Sequence, residues 1–557
     1  MDRLKTMQRL LVYLLLALLV PSSARSAGLD EALEPLLEGE FALQQGDATV
    51  AAKAYARAAE HSTDANVAER AVRASLAAKD AALTRRGLAR WAQLAPSAPE
   101  LPAARLRLAL LEGRQSEAAT ALDQLFAQPD GWRRAAAALA SAADTALASR
   151  LIGSLLDAER MPANFDAWLA MGGVALRLND RALYSRLAQA VVGKFPAQVQ
   201  ALIWQAEDAV TRKDMALAKR SLDAAAAVPE MSMADRLALA AQFNAMNDPA
   251  KAASLLEAAG EEDRVVAARA AYLSAAKDKA GLERLYTALV DRTPKNESSP
   301  VRLMLLGQIA EMLEKLPQAL EFYRRIPGGI QREQGRLRVA VLLARSGDEA
   351  ASLDVLREIQ ASDSEWADIV RDAYLVEAEL ARERKDAVAE LSALGRGLSI
   401  FEDDVTLRYN RALAYERNDQ VDAAVADLRV LVATEPEESD WLNALGYTLV
   451  DRTDQYAEGL ALIEKALALK PDSAAIQDSM GWALHRMGRD AEALPYLKRA
   501  FEQQRDAEVA AHLARVLAAL NQLDEARSIL RLARELDPDS PALRRVLGEL
   551  PAQVREP

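Results

Sequence analysis

Cysteine is missing from all 557 positions. Its absence removes disulfides, thiolate metal sites and cysteine nucleophiles together. It also removes the mature N-terminal cysteine on which a bacterial lipoprotein carries its lipid, so no lipid anchor is expected. Histidine is almost missing too: His61, His485 and His512 are the three in the chain. None is followed by glutamate in an H-E-x-x-H arrangement, which excludes the helical zinc-peptidase motif. Neither a G-x-S-x-G elbow nor a G-x-x-x-x-G-K-[ST] loop occurs, so the chain lacks the serine-hydrolase turn and the Walker-type phosphate cradle. The many Asp and Glu residues read as solvated helical faces rather than as a catalytic pair. No catalytic, cofactor-binding or metal-ligating residue is therefore expected, and the chain is not expected to be an enzyme.

Aromatics are scarce at 5% although hydrophobic residues reach 51%. The apolar content is accordingly alanine and leucine, the best helix formers. Sustained Val/Ile/Thr/Tyr alternation bounded by turn clusters, the mark of strands, is absent. Positive charge is short as well, with 69 Lys and Arg against 82 Asp and Glu and a net charge of −13. An acidic chain without basic stripes offers no counterion-releasing surface, so nucleic acid is not expected as a partner.

Long hydrophobic runs are limited to one. The first residues, "MDRLKTMQRLLVYLLLALLVPSSARS", place Arg3, Lys5 and Arg9 before an apolar core at residues 10–20, then Pro21 and small residues. That is the anatomy of a secretory signal peptide. The apolar core falls short of the roughly 20 residues that span a bilayer, which disfavours an uncleaved anchor. Cleavage after Ala24 or Ser26 would leave a protein exported to a Gram-negative periplasm, with peripheral association with the outer membrane still open.

What the chain does have is a period. Ala412, Gly446, Gly481 and Ala514 recur at intervals of 34, 35 and 33 residues. A second small residue follows in each unit at Ala424, Gly459, Ala493 and Ala526, then a large aliphatic at Leu428, Ile463, Leu497 and Leu530. Pro436, Pro471 and Pro538 close three of the four units. Two antiparallel helices approach closely only where small side chains lie at their crossing, with large residues filling the grooves on either side. Proline stops the second helix because it cannot donate the next backbone bond. This is the order of the tetratricopeptide repeat (TPR) and its 34-residue unit.

The same frame reappears upstream at Gly39, Ala51, Tyr55 and Ala58, at Trp168, Met171 and Gly172, at Ala206, Ala218, Leu222 and Ala225, and at Gly307, Ala319 and Tyr323. Around 125–160, 260–295 and 360–400 helices are legible from periodicity but their phase is not. The fold expected is all-α, an α-solenoid or superhelix of tandem TPR-like antiparallel helix pairs. Its layout is a signal peptide at 1–26, a degenerate N-terminal array at 27–295 and central degenerate repeats at 296–400. Consensus-like repeats follow at 401–538, then a capping helix and tail at 539–557. The stretch "TPKNESSP", residues 293–300, reads as a loop between two arms.

A stacked array of this kind lines its concave face with first helices. The positions one after and three before the small packing residue are Tyr409, Asn443, Tyr447, Asp478 and Trp482, with Glu416, His485 and Arg486 a turn further on. These eight form the candidate protein-binding face, because aromatics beside hydrogen-bonding side chains suit an extended segment or a helix. Packing between neighbouring repeats is the other role open to Tyr447 and Trp482, and Asn443 can also bridge backbone between helices.

With these residues in view, "LNALGYTLVDRTDQYAEGLALIEKALALKPDSAAIQDSMGWALHRMGR" and the opening "EGEFALQQGD" resemble the LbcA-type family of exported bacterial TPR proteins, periplasmic adaptors of a carboxyl-terminal processing protease. The likeness covers about 150 residues at the C-terminus and some 30 at the start, and the repeat itself is shared by many functions. It implies a non-enzymatic scaffold that brings such a protease and peptidoglycan hydrolase substrates together. Members of that family are outer-membrane lipoproteins, and a chain without cysteine departs from them there. The alternative function from the same class is a scaffold for exopolysaccharide export or outer-envelope assembly. Oligomeric state is left open by the sequence.

Overall fold

The computed structural model describes residues 27–294, 296–362 and 365–550. The expected leader at 1–26 and the end of the tail at 551–557 lie outside the described residues. Among the described residues there are 31 helices and no strand, in agreement with the all-α solenoid expected. None of these helices is long and apolar enough to cross a membrane.

The chain divides into two compact units, Met1–Asp278 and Lys279–Pro557. The first runs from helix Ala27–Gln44 through seven successive pairs to the single helix Asp263–Ala275. The second opens with Lys279–Arg292, continues through seven pairs and ends with Pro541–Glu549. The division falls upstream of the stretch 293–300, whose last residue opens helix Pro300–Met312 after helix Lys279–Arg292 has ended. Within each unit most helices pack on the next one in the chain, and many also on the next but one. This is the geometry of a solenoid, in which a pair that cannot bury its apolar face alone does so against its neighbours.

A two-residue device recurs where first helices turn into second helices. Lys79, Asn179, Lys213, Asn247 and Lys385 hold left-handed φ values of 55 to 63°, and Gly46 and Gly347 hold 79° and 86°. Each is followed by an aspartate, at 47, 80, 180, 214, 248, 348 and 386, whose side chain accepts the N–H three residues on. The left-handed residue ends one helix and the aspartate caps the next, each such cap contributing about 1 kcal/mol.

The small residues sit at the helix crossings. A Cβ added at Gly446 would stand 2.8 Å from the Gly459 carbonyl oxygen and 2.7 Å from Ile463 Cγ1, and one at Gly481 would stand 2.5 Å from Leu497 Cγ. Ala412, Ala424, Ala493, Ala514 and Ala526 are buried, as are the aliphatics Leu428, Ile463, Leu497 and Leu530 that fill the adjoining grooves. Each such aliphatic contributes about 1.5–3 kcal/mol by burial. At Gly172, in the first unit, the crossing is filled differently. Gly172 faces the ring of Trp204, a residue of the next pair, at 2.5 and 2.8 Å from an added Cβ. Around 125–160 the short helix Gly131–Ala140 packs chiefly on Leu101–Leu111, Gln115–Phe126 and Phe165–Arg177, which departs from the regular pairing.

Candidate protein-binding cavity

In the second unit, the first helices of the last four pairs are Val405–Arg417, Ser439–Arg452, Ala474–Arg486 and Ala507–Ala519. Together with the terminal helix Pro541–Glu549 they line a cavity of about 790 Å³. Each presents one face to it because the small residue at its crossing is committed to its own second helix. Tyr409, Glu416, Asn443, Tyr447 and Asp478, five of the eight candidates, line this cavity. Trp482, His485 and Arg486 do not line it and lie between helices.

Electrostatics dominate the lining. Six carboxylates, those of Glu416, Asp419, Asp440, Asp478, Asp506 and Glu508, face three guanidinium groups, those of Arg417, Arg452 and Arg545. Arg452 pairs with Glu416 at 3.6 Å and with Asp419. Burial raises the pKa of Glu416 above the ordinary carboxylate value, against the pull of Arg452. Tyr447 donates its hydroxyl to Glu508 Oε1 at 2.6 Å. Burial, with the Glu508 and Asp451 charges behind it, pushes that phenol well above its usual value. Tyr409 packs against Trp441 with ring centroids 4.9 Å apart, and its pKa is raised by burial and by Asp440 and Glu416. Asn443 contributes a buried Oδ1 that meets no donor among the described residues.

Behind the cavity lies a buried polar cluster. His512 Nδ1 sits 3.1 and 3.0 Å from the two carboxylate oxygens of Asp478. The imidazole stacks on Trp482, centroids 4.1 Å apart and planes 19° from parallel. Full burial pulls its pKa down, but Asp478, with Glu508 and Asp451 beyond, outweighs this and holds the value above that of an ordinary histidine. Trp482 Nε1 donates to Asp451 Oδ1 at 2.9 Å, so this indole bridges neighbouring first helices. Arg486 donates to the Asp451 carbonyl and to the Tyr456 hydroxyl, both at 3.0 Å. His485 lies 2.5 Å from Asp490 Oδ1, and burial depresses its pKa against that carboxylate's pull.

Asp451, Arg452, Glu508, His512 and Arg545 are the members that the sequence reading passed over. One signal was available. Asp451 occupies the repeat position held by Arg417 and Arg486 in the flanking units, a charge reversal that an alignment by size alone does not show. Arg545 has no such marker because its helix stands outside the repeat. Among the described residues no group of three or more His, Asp or Glu is placed to hold a metal ion.

The geometry defines a helical-repeat solenoid of TPR-type hairpins, and the sequence comparisons agree with it. Residues 484–550 match the family model described as tetratricopeptide repeat. The chain is homologous to a TPR repeat-containing protein of Pseudomonas aeruginosa, 39% identical over 211 residues. That alignment covers 37% of this chain and 35% of the relative, so the chain spans about a third of the length of the curated relative it matches. Among solved structures, a thermophilic TPR protein of Thermus thermophilus is 21% identical over 32% of this chain and 97% of its own, with a TM-score of 0.29. An APC/C hetero-tetramer structure is 14% identical over 94% of this chain and 96% of its own, with a TM-score of 0.32.

Proposed function

We propose that the chain is a non-catalytic adaptor that holds protein partners in the cavity of its C-terminal repeats. The observation carrying this reading is the cavity itself: about 790 Å³ in volume, it combines two tyrosines with hydrogen-bonding groups on four parallel first helices. Such a lining gives an extended polypeptide both apolar anchors and backbone partners. The finer assignment is to the periplasm, where the adaptor couples a carboxyl-terminal processing protease to peptidoglycan hydrolases. It is supported by the leader-like composition of residues 1–26 and by the resemblance of the C-terminal repeats to that adaptor family.

The test uses purified full chain, protease and hydrolase. Binding of the protease by the wild type and its loss in Asn443→Ala, at an unchanged melting temperature, and in Tyr409→Ala, which stays folded although it gives up the contact with Trp441, is the expected outcome. A protease that does not bind, or binds both variants as tightly as the wild type, removes the assignment.

A further inference from the structure

The first unit holds a cavity of one charge sign. About 430 Å³ in volume, it is lined by the C-terminal halves of helices Ala65–Ala77, Leu101–Leu111 and Gly131–Ala140 and by the residues that follow them. Its walls are Leu76, Leu110, Leu111 and several alanines, and its charged groups are Arg73, Lys79 and Arg107. Among the described residues no carboxylate lines it, in a chain whose net charge is −13. The fold itself does not engage these cations. The side chains of Lys79 and Arg107 make no hydrogen bond or ion pair among the described residues. Arg73 has an exposed contact of 3.3 Å with Glu69 of its own helix, which solvent screens. Nor are Lys79 and Arg107 needed to cap helix ends. The carbonyls of Ala74, Ser75 and Leu76 are taken by the backbone N–H groups of Ala78, Asp80 and Lys79, and those of Leu108, Ala109 and Leu110 by Glu112, Arg114 and Gly113. A cleft with apolar walls and charges of one sign focuses a potential, here positive, that an anionic ligand relieves.

We infer that this cavity is a second docking surface, for an acidic polypeptide segment in which carboxylate and apolar side chains are interspersed. Lys79 and Arg107 receive the carboxylates, and the half-buried Leu76 and Leu111 receive the apolar side chains. Charge complementarity of this kind sets partner choice and association rate more than raw affinity. A nucleic acid is disfavoured, because the lining offers no aromatic ring for a base to stack on and the acidic chain repels a phosphate backbone. A small anion would leave the leucine walls uncovered. The surface shares no residue with the C-terminal cavity, so it does not depend on what that cavity holds, and it gives an adaptor the means to take two unlike partners.

Three fluorescein-labelled peptides, built by repeating Glu-Glu-Leu, Gln-Gln-Leu or Lys-Lys-Leu, are titrated with the full chain and followed by anisotropy. The glutamate peptide should bind at least about tenfold more tightly than the glutamine peptide and should weaken between about 0.05 M and about 0.3 M salt. Arg107→Gln combined with Lys79→Asn should abolish that preference at an unchanged melting temperature, since asparagine tolerates the left-handed φ of 55° at that position. Lys53→Gln combined with Arg220→Gln removes the same formal charge from exposed sites outside the cavity and should leave the preference intact, as should Asn443→Ala in the C-terminal cavity. Glutamine or lysine peptide binding as tightly as glutamate overturns the inference. So does glutamate binding that survives the change at Arg107 and Lys79, or that falls equally with the exterior pair or with Asn443→Ala. Displacement of the bound glutamate peptide by inorganic phosphate at constant ionic strength would make this a small-anion site and defeats the inference too. Absence of binding by all three peptides does the same, while the protease assay with Asn443→Ala and Tyr409→Ala reports separately on the C-terminal cavity.

Discussion

Residues 27–278 and residues 279–550 repeat the same hairpin, but they bury different chemistry. Among the described residues the first region buries four polar side chains and the second eleven. The only ionisable one in the first is Asp208, whereas the second buries Glu377, Glu390, Asp427, Asp478 and His512. Each of these five is matched: Glu377 by Arg396, Glu390 by Arg417, Asp427 by Arg408 and Arg411, and Asp478 by His512. Buried charges are costly unless paired, and pairing fixes where the helices sit. The lesson is that apolar periodicity suffices to stack hairpins, while a site of defined shape is found where polar groups have been drawn inside and matched.

The sharpest way to break this contrast is Trp482→Ala, which removes a buried indole, its stack on His512 and its bond to Asp451. A loss of about 4 kcal/mol is expected, read by amide hydrogen exchange across residues 439–536. Protection unchanged there would mean that the cluster does not organise the second region. Next in size is Gly446→Val, where a side chain would run into the Gly459 carbonyl and Ile463 at a cost of about 3 kcal/mol. By contrast Gly173→Ala in the first region, one position after the crossing Gly172, meets open space and should gain up to about 1 kcal/mol from helix propensity. Equal effects at the two positions in denaturant melts would erase the distinction between a crossing glycine and an ordinary one.

A smaller effect is carried by pH. His512 has a folded pKa above its unfolded value, so its contribution is fully present below the unfolded value and is lost as pH rises through the folded one. Stability of the wild type relative to His512→Gln should therefore fall as pH is raised through that window. Its neighbour His485 has a depressed folded pKa, so the sign reverses and its contribution is lost as pH drops. A pair of denaturation series across neutral pH, one for His512→Gln and one for His485→Gln, separates them by opposite slopes. Parallel slopes would show that the two imidazoles do not differ in environment. The smallest change is expected at Asn443→Ala, within about 0.5 kcal/mol, because the acceptor removed has no partner to lose. A large destabilisation there would make Asn443 a packing residue.

Much of the fold was legible because size recurs. The alternation of Ala412, Gly446, Gly481 and Ala514 with their aliphatic partners is a steric requirement at the crossing, and steric requirements leave a period. The phase at 260–295 and 360–400 escaped because those stretches lack the small–large pairing. At 360–400 the other device is kept, with left-handed Lys385 and the capping Asp386 ahead of helix Ala387–Ile400, and at 260–295 a left-handed Lys277 precedes Asp278 and helix Lys279–Arg292. Reading left-handed residues and caps, rather than apolar residues alone, would have placed those helices. Around 125–160 the device is broken up: the short helix Gly131–Ala140 follows a left-handed Asp130 that makes no side-chain cap, and Asp144 caps helix Thr145–Asp157 with no left-handed residue before it.

For the candidate site, the register of the first helices was enough to bring Tyr409, Glu416, Asn443, Tyr447 and Asp478 to one cavity. It could not separate these from Trp482, His485 and Arg486, because the rotation that turns a side chain toward the cavity or toward the next helix depends on partners such as Asp451 and Asp490. Arg545 lay beyond reach for a simpler reason: its place is set by where the terminal helix docks, and no repeat position encodes that.

Two contacts near the C-terminus skip over intervening hairpins, the first over one and the second over two. Tyr447 reaches Glu508, and Arg545 returns to Asp451. A stack held only by adjacent pairs would fray from its open end, one hairpin at a time. Here the outermost hairpin cannot let go without also releasing the one two places inward, so the segment from Ser439 to Glu549 should melt as a single clasped block with no partly peeled species.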